Sequence, residues 1–178
     1  MQVLNYRYTK SERKELLQSL TVLVDTREKA NSNIINYFDK KKIDYKSKKL
    51  DFGDYSFFLP KNEELGIMRD IYFNDQIAIE RKASLNELSG NFCQGRTQFE
   101  NELIRSAGSK LILLVENPQG YKDIINHNYR TKYKPKSFIG TLNSFKHRYN
   151  LEVNFLQPEL AGNFIYYNFY YYLREFIK

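Results

Sequence analysis

Short apolar runs alternate along this chain with longer segments in which apolar residues recur at helical spacing. Short β-branched runs are typical of strands, whereas recurrence every three or four residues is typical of helices. The pattern predicts strands over residues 22–26, 44–50, 54–59, 77–82, 111–116 and 151–156. It predicts helices over residues 10–20, 31–42, 96–106, 137–149 and 158–177, and one more that begins after Ser84. Because strands and helices interleave, we expect an α/β fold with a central sheet flanked by helices.

The domain organisation predicted from this order of elements is simple. We expect a single domain over residues 21–178, preceded by an N-terminal extension over residues 1–20 that forms a short helix. Residues 60–75 carry mixed charge and predict a loop or hairpin tip, and residues 111–116 form the most apolar run and predict a central strand. A chain of 178 residues is long enough to enclose a substantial core.

The predicted strand 77–82 ends in two charged residues that share a face. Side chains alternate along a strand, so Glu80 and Lys82 point to one side and Arg81 to the other. Asp54, which follows a glycine, can supply a second carboxylate from a neighbouring strand. Two carboxylates that hold a hard divalent cation, with a lysine beside them, suit the attack of water on a phosphodiester. The alternative for Glu80 and Lys82 is a structural ion pair without chemistry.

The composition of the chain indicates which class of partner and which kind of metal ion it could bind. The formal net charge of +7 indicates a polyanionic partner such as nucleic acid, although lysine-rich codon usage would give a similar charge. A single cysteine and two histidines argue against a disulfide framework and a zinc site, so we expect oxygen-ligated Mg²⁺ or Mn²⁺. No apolar stretch is long enough to span a bilayer and no signal peptide is evident. We therefore expect that the protein has no membrane partner. We also expect it to be a cytoplasmic protein of bacterial or phage origin.

Four motifs in order carry a family resemblance. Residues 24–28 (VDTRE), 50–55 (LDFGDY), 79–82 (IERK) and 95–96 (GR) resemble the nuclease domain of the XPF family over roughly residues 21–117. Members of this family are structure-specific DNA endonucleases, and their signature is Gly-Asp, a variable gap, Glu-Arg-Lys, three residues and Asp. The resemblance implies a restriction-endonuclease-like core with a mixed β-sheet between helices.

The resemblance also implies a role for each matching residue. Asp54 and Glu80 would be the metal-binding carboxylates, with the main-chain carbonyl of Arg81 as a further ligand. Lys82 would position or activate the attacking water and stabilise charge on the phosphate. Asp25 would act at the metal through water, while Arg27 and Arg81 would support the site or contact phosphate. For Asp25 and Arg27 the alternative is a structural ion pair between them.

The chain departs from the family pattern in two places. The segment between Asp54 and Glu80 is longer than the usual short hairpin, which an extended loop accommodates at little cost. The last acid of the signature is replaced by Asn86, which can hydrogen-bond but carries no charge. Glu87 is adjacent, but a capping box with Ser84 accounts for it, and we expect it to point away from the site.

Candidate DNA contacts lie outside the motifs. The segment 130–136 interleaves Arg130, Lys132, Lys134 and Lys136 with Tyr133, a pattern that suits phosphate contact and stacking on an unpaired base. A solvated loop is the alternative. Arg96, at the start of its predicted helix, is a further phosphate candidate. Family members usually bind duplex DNA through a helix-hairpin-helix pair, and we expect no such module in this sequence.

The predicted last helix, over residues 158–177, is rich in aromatic residues on nearly every side. One apolar stripe can pack on the sheet, but the other needs a second partner, and aromatic residues are enriched at interfaces. We therefore expect homodimerisation through this helix, the alternative being a helix buried within the monomer.

Together these observations predict a metal-dependent endonuclease that cleaves branched, flapped or junction DNA in repair, recombination or mobile-element processing. The alternative is a catalytically silent DNA-binding or scaffold subunit with the same fold. A sequence-specific restriction enzyme on the same core is a third hypothesis.

Overall fold

The computed structural model describes residues 7–178, so residues 1–6 of the predicted N-terminal extension lie outside it. The strands are β1 (Thr21–Val24), β2 (Tyr45–Ser47), β3 (Tyr55–Leu59), β4 (Ile71–Tyr72), β5 (Ile77–Lys82), β6 (Lys110–Glu116) and β7 (Glu152–Leu156). The helices are α1 (Lys10–Gln18), α2 (Ser32–Lys41), α3 (Leu85–Cys93), α4 (Arg96–Arg105), α5 (Tyr121–Ile125), α6 (Pro135–Tyr149) and α7 (Ala161–Phe176). Two 3₁₀ turns lie at Glu63–Leu65 and Pro158–Leu160.

The strands form one mixed sheet in the order β2-β1-β3-β5-β6-β7, with β4 paired to β3. Strands β1 and β2 run parallel, as do β5, β6 and β7, while β3 is antiparallel to both β1 and β5. The pairing places the start of β3 beside the middle of β5, with Tyr55 opposite Ile79. The predicted α/β fold with a central mixed sheet is confirmed.

Helices cover both faces of the sheet, because successive strand residues point to opposite sides. Ile77 and Ile79 of β5 belong to one buried cluster, which α1, α2 and α7 complete. Ala78 belongs to the other, which α3, α4 and α6 complete. The segment before β1 contributes Leu16 and Leu20 to the first cluster, so α1 is part of the domain core.

The segment 60–75 is more ordered than the predicted loop. It contains the turn at Glu63–Leu65 and the short strand β4, which pairs antiparallel with β3. Ile67 and Phe73 anchor it in the core, where both side chains are buried. The additional length therefore extends the sheet without displacing β3 or β5. The structure also adds α5, whose five residues are too few to show helical periodicity.

The aromatic C-terminal helix begins later than predicted, because Pro158–Leu160 form a 3₁₀ turn ahead of α7. Ile165, Phe169 and Leu173 are buried on the side that faces the sheet. Tyr167 and Tyr171 on the opposite side are 42% and 50% exposed. None of the helices in residues 7–178 is long and apolar enough to cross a membrane.

Candidate active site

A glycine turn delivers Asp54 to the edge of β5. Gly53 has a positive φ of 71°, and a Cβ there would lie 2.7 Å from the Cβ of Ala78, so only glycine fits. The amide of Asp54 then donates to the carbonyl of Ile79 over 2.9 Å. The Oδ2 atom of Asp54 accepts the amide of Arg81 over 2.8 Å. One hydrogen bond from the backbone of Asp54 and one to its side chain therefore fix this carboxylate against the strand that carries Glu80.

Glu80 and Lys82 lie on the face of β5 that α3 and α4 cover. Glu80 is 3% exposed, and its Oε1 atom accepts a hydrogen bond from Nζ of Lys82. Within residues 7–178, its other oxygen, Oε2, is buried without a hydrogen-bond partner. The Lys82 ammonium also lies 5.2 Å from the centre of the Phe99 ring. The site therefore contains one buried carboxylate oxygen that accepts no hydrogen bond from the described residues.

Burial makes both carboxylates hard to ionise. It raises the pKa of Asp54 to about 7, against the opposing effects of the Arg81 amide and the Lys82 charge. It also raises the pKa of Glu80 well above its usual range, and the nearby charge of Asp54 adds to that effect. Burial alone would lower the pKa of Lys82, but the charge of Glu80 outweighs it and the net shift is upward. The two acids thus share one cation and would be stabilised by another.

The donor set fits a hard divalent cation. Within residues 7–178, no three His, Cys, Asp or Glu side chains converge as a ready-made ligand cluster. Mg²⁺ does not require one, because it is typically bound by one or two carboxylates and keeps several waters. Asp54 and the unpartnered Oε2 of Glu80 would provide two oxygen ligands of this type. The main-chain carbonyl of Arg81 remains a predicted third ligand.

The side chain of Arg81 points away from Asp54 and Glu80. Of its two expected roles, to support the site or to contact phosphate, its contacts leave room only for support. Its guanidinium binds both oxygens of Glu116, over 2.7 and 2.8 Å. It also donates to Oε1 of Glu28 over 2.8 Å and to the carbonyl of Ala30 over 3.0 Å. Only 6% of the side chain is exposed, so a phosphate cannot reach it. Arg81 instead joins β5 to the end of β6 and to the loop after β1.

Asp25 and Arg27 form the ion pair that was the alternative interpretation of these residues. Oδ1 of Asp25 accepts Nε and the amide of Arg27, and Oδ2 accepts the amide of Leu50 over 2.7 Å. Burial alone would raise the pKa of Asp25, but these donors outweigh it and lower the pKa. A water-mediated metal role for Asp25 remains a prediction. Arg27 is the solvent-facing member of the pair, with 59% of its side chain exposed.

Two acids lie near the site although the sequence did not predict them as site residues. Oε1 of Glu87 lies 3.7 Å from Nζ of Lys82, so the expectation that it points away from the site is wrong. Its other oxygen caps the amide of Ala83 over 2.9 Å. Glu102 of α4 accepts the amide of Gly53 over 3.1 Å, and its charge contributes to the raised pKa of Asp54. Its spacing of three residues from Phe99 was the one available signal that it faces the sheet.

The predicted DNA contacts lie on the same side of the domain as α3 and α6. Arg130, Lys132, Lys134 and Lys136 are exposed. Arg96 lies over the ring of Phe145 at 5.4 Å, and 45% of its side chain is exposed. Tyr133 differs from the expectation, because it is half-buried and its hydroxyl bonds Thr141 over 2.7 Å. It is therefore part of the packing and is not presented for base stacking.

The mixed sheet, the glycine turn and the acid–lysine group on β5 together define a restriction-endonuclease-like α/β domain. The model of the ERCC4 domain family matches residues 24–167, which is most of the chain. The chain belongs to this family of structure-specific DNA nucleases, and the predicted membership of the XPF nuclease family is confirmed.

Solved structures agree with this assignment at the level of the fold. XPF from Aeropyrum pernix matches with a TM-score of 0.62 and 20% identity, over 86% of this chain and 65% of that one. A second structure, XPF from Aeropyrum pernix in complex with DNA, matches with a TM-score of 0.60 and 18% identity, over 87% of this chain and 65% of that one. The chain thus spans slightly less than two thirds of each. A comparison with curated proteins gives no match.

Proposed function

We propose that this protein is a metal-dependent endonuclease that hydrolyses phosphodiester bonds in branched, flapped or junction DNA. The observation that carries the proposal is the buried Oε2 atom of Glu80, which has no partner within residues 7–178 and lies on the same face as Lys82. A buried carboxylate oxygen that accepts no hydrogen bond is costly, and a bound cation would pair with it. DNA as the substrate is supported by the family and by the relative that was solved in complex with DNA.

Each side chain has a role that follows from its contacts. Asp54 and Glu80 would hold Mg²⁺ or Mn²⁺, which when bound supplies a Lewis acid to the scissile phosphate and its attacking water. Lys82 is held in place by Glu80 and by the Phe99 ring. Because its pKa is raised, it stays an ammonium at neutral pH and would stabilise charge on the phosphate without taking a proton from water.

DNA would bind to the exposed basic side chains on the side of the domain that carries α3 and α6. Arg96, with Arg130 and the lysines of segment 130–136, would contact phosphates and orient the strand. Such contacts give affinity without sequence specificity, and they weaken as salt rises. This supports recognition of DNA shape over recognition of a base sequence.

Homodimerisation through α7 is a further part of the proposal. Tyr167 and Tyr171 expose large aromatic surfaces next to Leu160, which is also exposed. Apolar side chains that cluster on one side of a helix are typical of interfaces between subunits. A second copy of α7 would cover this side while Ile165 and Phe169 stay in the core.

The test is cleavage of labelled flap, fork, four-way junction and linear duplex DNA of identical arm sequence, with Mg²⁺, Mn²⁺ or EDTA. We expect cleavage of the branched substrates that depends on metal. The Lys82→Met and Glu80→Gln variants should bind the same DNA and leave it intact. Lys82→Met removes the charge with little change in volume, and circular dichroism confirms that each variant is folded.

Other outcomes would support other functions. Tight binding of branched DNA without cleavage in either metal would favour a silent binding or scaffold subunit. Cleavage of linear duplex at a defined sequence would favour a restriction enzyme. Cleavage that persists in Lys82→Met at the wild-type rate would contradict the site assignment.

A further inference from the structure

Asn86 binds the start of the basic segment, defined as residues 130–136. Its side-chain Oδ1 accepts the amide of Arg130 over 2.6 Å, across a separation of 44 residues. One turn further along α3, Oγ of Ser89 accepts a hydrogen bond from Oγ1 of Thr131 over 2.9 Å. Two neighbouring residues of the basic segment are thus bonded to one face of α3.

Buried and half-buried tyrosines fix the rest of the basic segment, while its basic side chains remain exposed to solvent. The hydroxyl of Tyr129, a buried residue, donates to the carbonyl of Tyr133 over 2.6 Å. Tyr133 packs against Phe138 of α6, with the ring centres 6.1 Å apart. The segment therefore presents its lysines from a constrained backbone, and the Asn86 bond fixes the end that contains Arg130.

The helix that carries Asn86 follows directly from the strand that carries the candidate catalytic residues. Ser84, two residues after Lys82, caps α3 by accepting the amide of Glu87 over 3.2 Å. A position fixed relative to α3 is therefore fixed relative to Glu80 and Lys82. The hydrogen bonds from Arg130 to Asn86 and from Thr131 to Ser89 transfer this position to the basic segment.

We propose that Asn86 is a positioning residue for DNA, which holds the basic segment in register with the candidate active site. The inference rests on the proposed function and assigns Asn86 a role in substrate binding in place of metal chemistry. An amide oxygen suits this role, because it accepts the Arg130 amide without adding a negative charge beside a surface that binds phosphate. A carboxylate would make the same bond but would offset part of the charge of Arg130.

The test compares Asn86→Ala, which removes the acceptor, with Asn86→Asp, which keeps it. Asn101→Ala, at an exposed position of α4, is the matched control. Three quantities are measured in each variant. They are hydrogen exchange of the Arg130 and Thr131 amides, the dissociation constant for fork DNA over a salt series, and the rise in melting temperature on addition of Mg²⁺.

In Asn86→Ala we expect faster exchange at the Arg130 amide, because its acceptor is lost. Affinity for fork DNA should fall about 3- to 10-fold, and the salt dependence should become shallower by about one phosphate contact. The stabilisation by Mg²⁺ should match the wild type. Asn86→Asp should keep the Arg130 amide protected and should not strengthen the response to Mg²⁺.

Unchanged DNA affinity in Asn86→Ala, with wild-type binding intact, would overturn the inference. A stronger Mg²⁺ response in Asn86→Asp would also overturn it, since that result would place position 86 at the metal site. Should Asn86→Ala be unfolded, Thr131→Val breaks the neighbouring bond and must lower affinity in the same way. If the wild type itself does not bind fork DNA, the proposed function fails first, which distinguishes the two failures.

Discussion

The backbone of Gly53 lies so close to Ala78 that a side chain at position 53 would overlap it, with the two Cβ atoms 2.7 Å apart. The φ of Gly53 is also in the left-handed region. We expect Gly53→Ala to destabilise the protein by about 2–4 kcal/mol, from backbone strain and overpacking together. Urea denaturation measures this value.

Gly90→Ala is the matched control for that experiment. Gly90 lies within α3, and apart from its chain neighbours and the helix's own backbone, a Cβ added there meets no atom of the described residues within 4 Å. Alanine should therefore stabilise the helix by about 0.5–1 kcal/mol, since it forms helix more readily than glycine. If both substitutions changed the free energy of unfolding in the same direction, the close contact between Gly53 and Ala78 would be contradicted.

The raised pKa of Asp54 predicts how stability depends on pH and metal. A carboxyl group whose pKa is higher in the folded state stabilises the fold at low pH, and this contribution is lost as pH rises through the folded pKa. Without metal, the melting temperature should fall between pH 4 and about 7, the pKa of Asp54. Mg²⁺ favours the ionised form, so its stabilising effect should grow over the same interval.

Differential scanning fluorimetry at several pH values, with Mg²⁺ or EDTA, measures both effects. In Asp54→Asn the dependence on pH and the response to Mg²⁺ should both shrink, because the titrating group is gone. An equal Mg²⁺ response at pH 5 and pH 8 in the wild type would argue against a metal site at Asp54.

Arg81 and Arg27 each pair with acids, but they should differ in their effect on stability. Arg81→Met leaves Glu116 and Glu28 without their cation in a buried environment, which should cost about 3–5 kcal/mol. Arg27→Met leaves the buried carboxylate of Asp25 with the amides of Arg27 and Leu50 as donors, so the loss should be smaller, about 1–3 kcal/mol. Urea unfolding of both variants provides the comparison, and equal losses would contradict the burial of the Arg81 cluster.

Glu102 should strengthen cation binding through its charge. Glu102→Gln keeps an acceptor for the amide of Gly53 but removes a negative charge that acts on Asp54 and Glu80. We expect the Mg²⁺ dissociation constant to rise about 2- to 10-fold, the range of a weak charge interaction near a protein surface. Glu100→Gln is the control, since Glu100 of the same helix bonds Arg148 and Tyr149. A similar change in both variants would contradict a local effect.

The exposed tyrosines of α7 predict the oligomeric state. A wild-type dimer should become monomeric in Tyr171→Glu, because a charge would be buried in the interface. Light scattering after gel filtration measures the mass. Lys178→Glu, a charge change at the exposed last residue, is the control and should leave the dimer intact. A wild-type monomer at all concentrations would contradict the proposed interface.

Local patterns predicted much of the fold and the centre of the site. Alternation along β5 placed Glu80 and Lys82 on one face, and the glycine before Asp54 marked the turn that brings a second acid to them. The other contacts depend on packing between distant segments. Glu102 reaches Gly53 from α4, and Arg130 reaches Asn86 across 44 residues, so no periodicity in the chain records either contact.

The partners of Arg81 illustrate the same limit. Alternation correctly placed its side chain away from Glu80, but Glu28 and Glu116 come from two other segments of the chain. Alternation alone does not tell whether a charged side chain faces solvent or buried acids, because that depends on which distant segments pack against it. The family resemblance implied that this side chain supports the site or contacts phosphate, and its observed contacts agree with the first of these roles.

Three consecutive residues of β5 therefore take part in two separate groups of contacts. Glu80 and Lys82 belong to the candidate active site, and Arg81 belongs to the buried ion-pair cluster with Glu116 and Glu28. If the proposed function holds, substituting Glu80, Arg81 or Lys82 should abolish cleavage for different reasons, because Arg81 holds strands together while Glu80 and Lys82 form the candidate active site. A screen that scores cleavage alone would therefore place all three in one class. Variants of Arg81 should regain activity when the temperature is lowered or the fold is stabilised elsewhere, whereas variants of Glu80 and Lys82 should not. Suppressor selection would thus separate the triplet into its two parts.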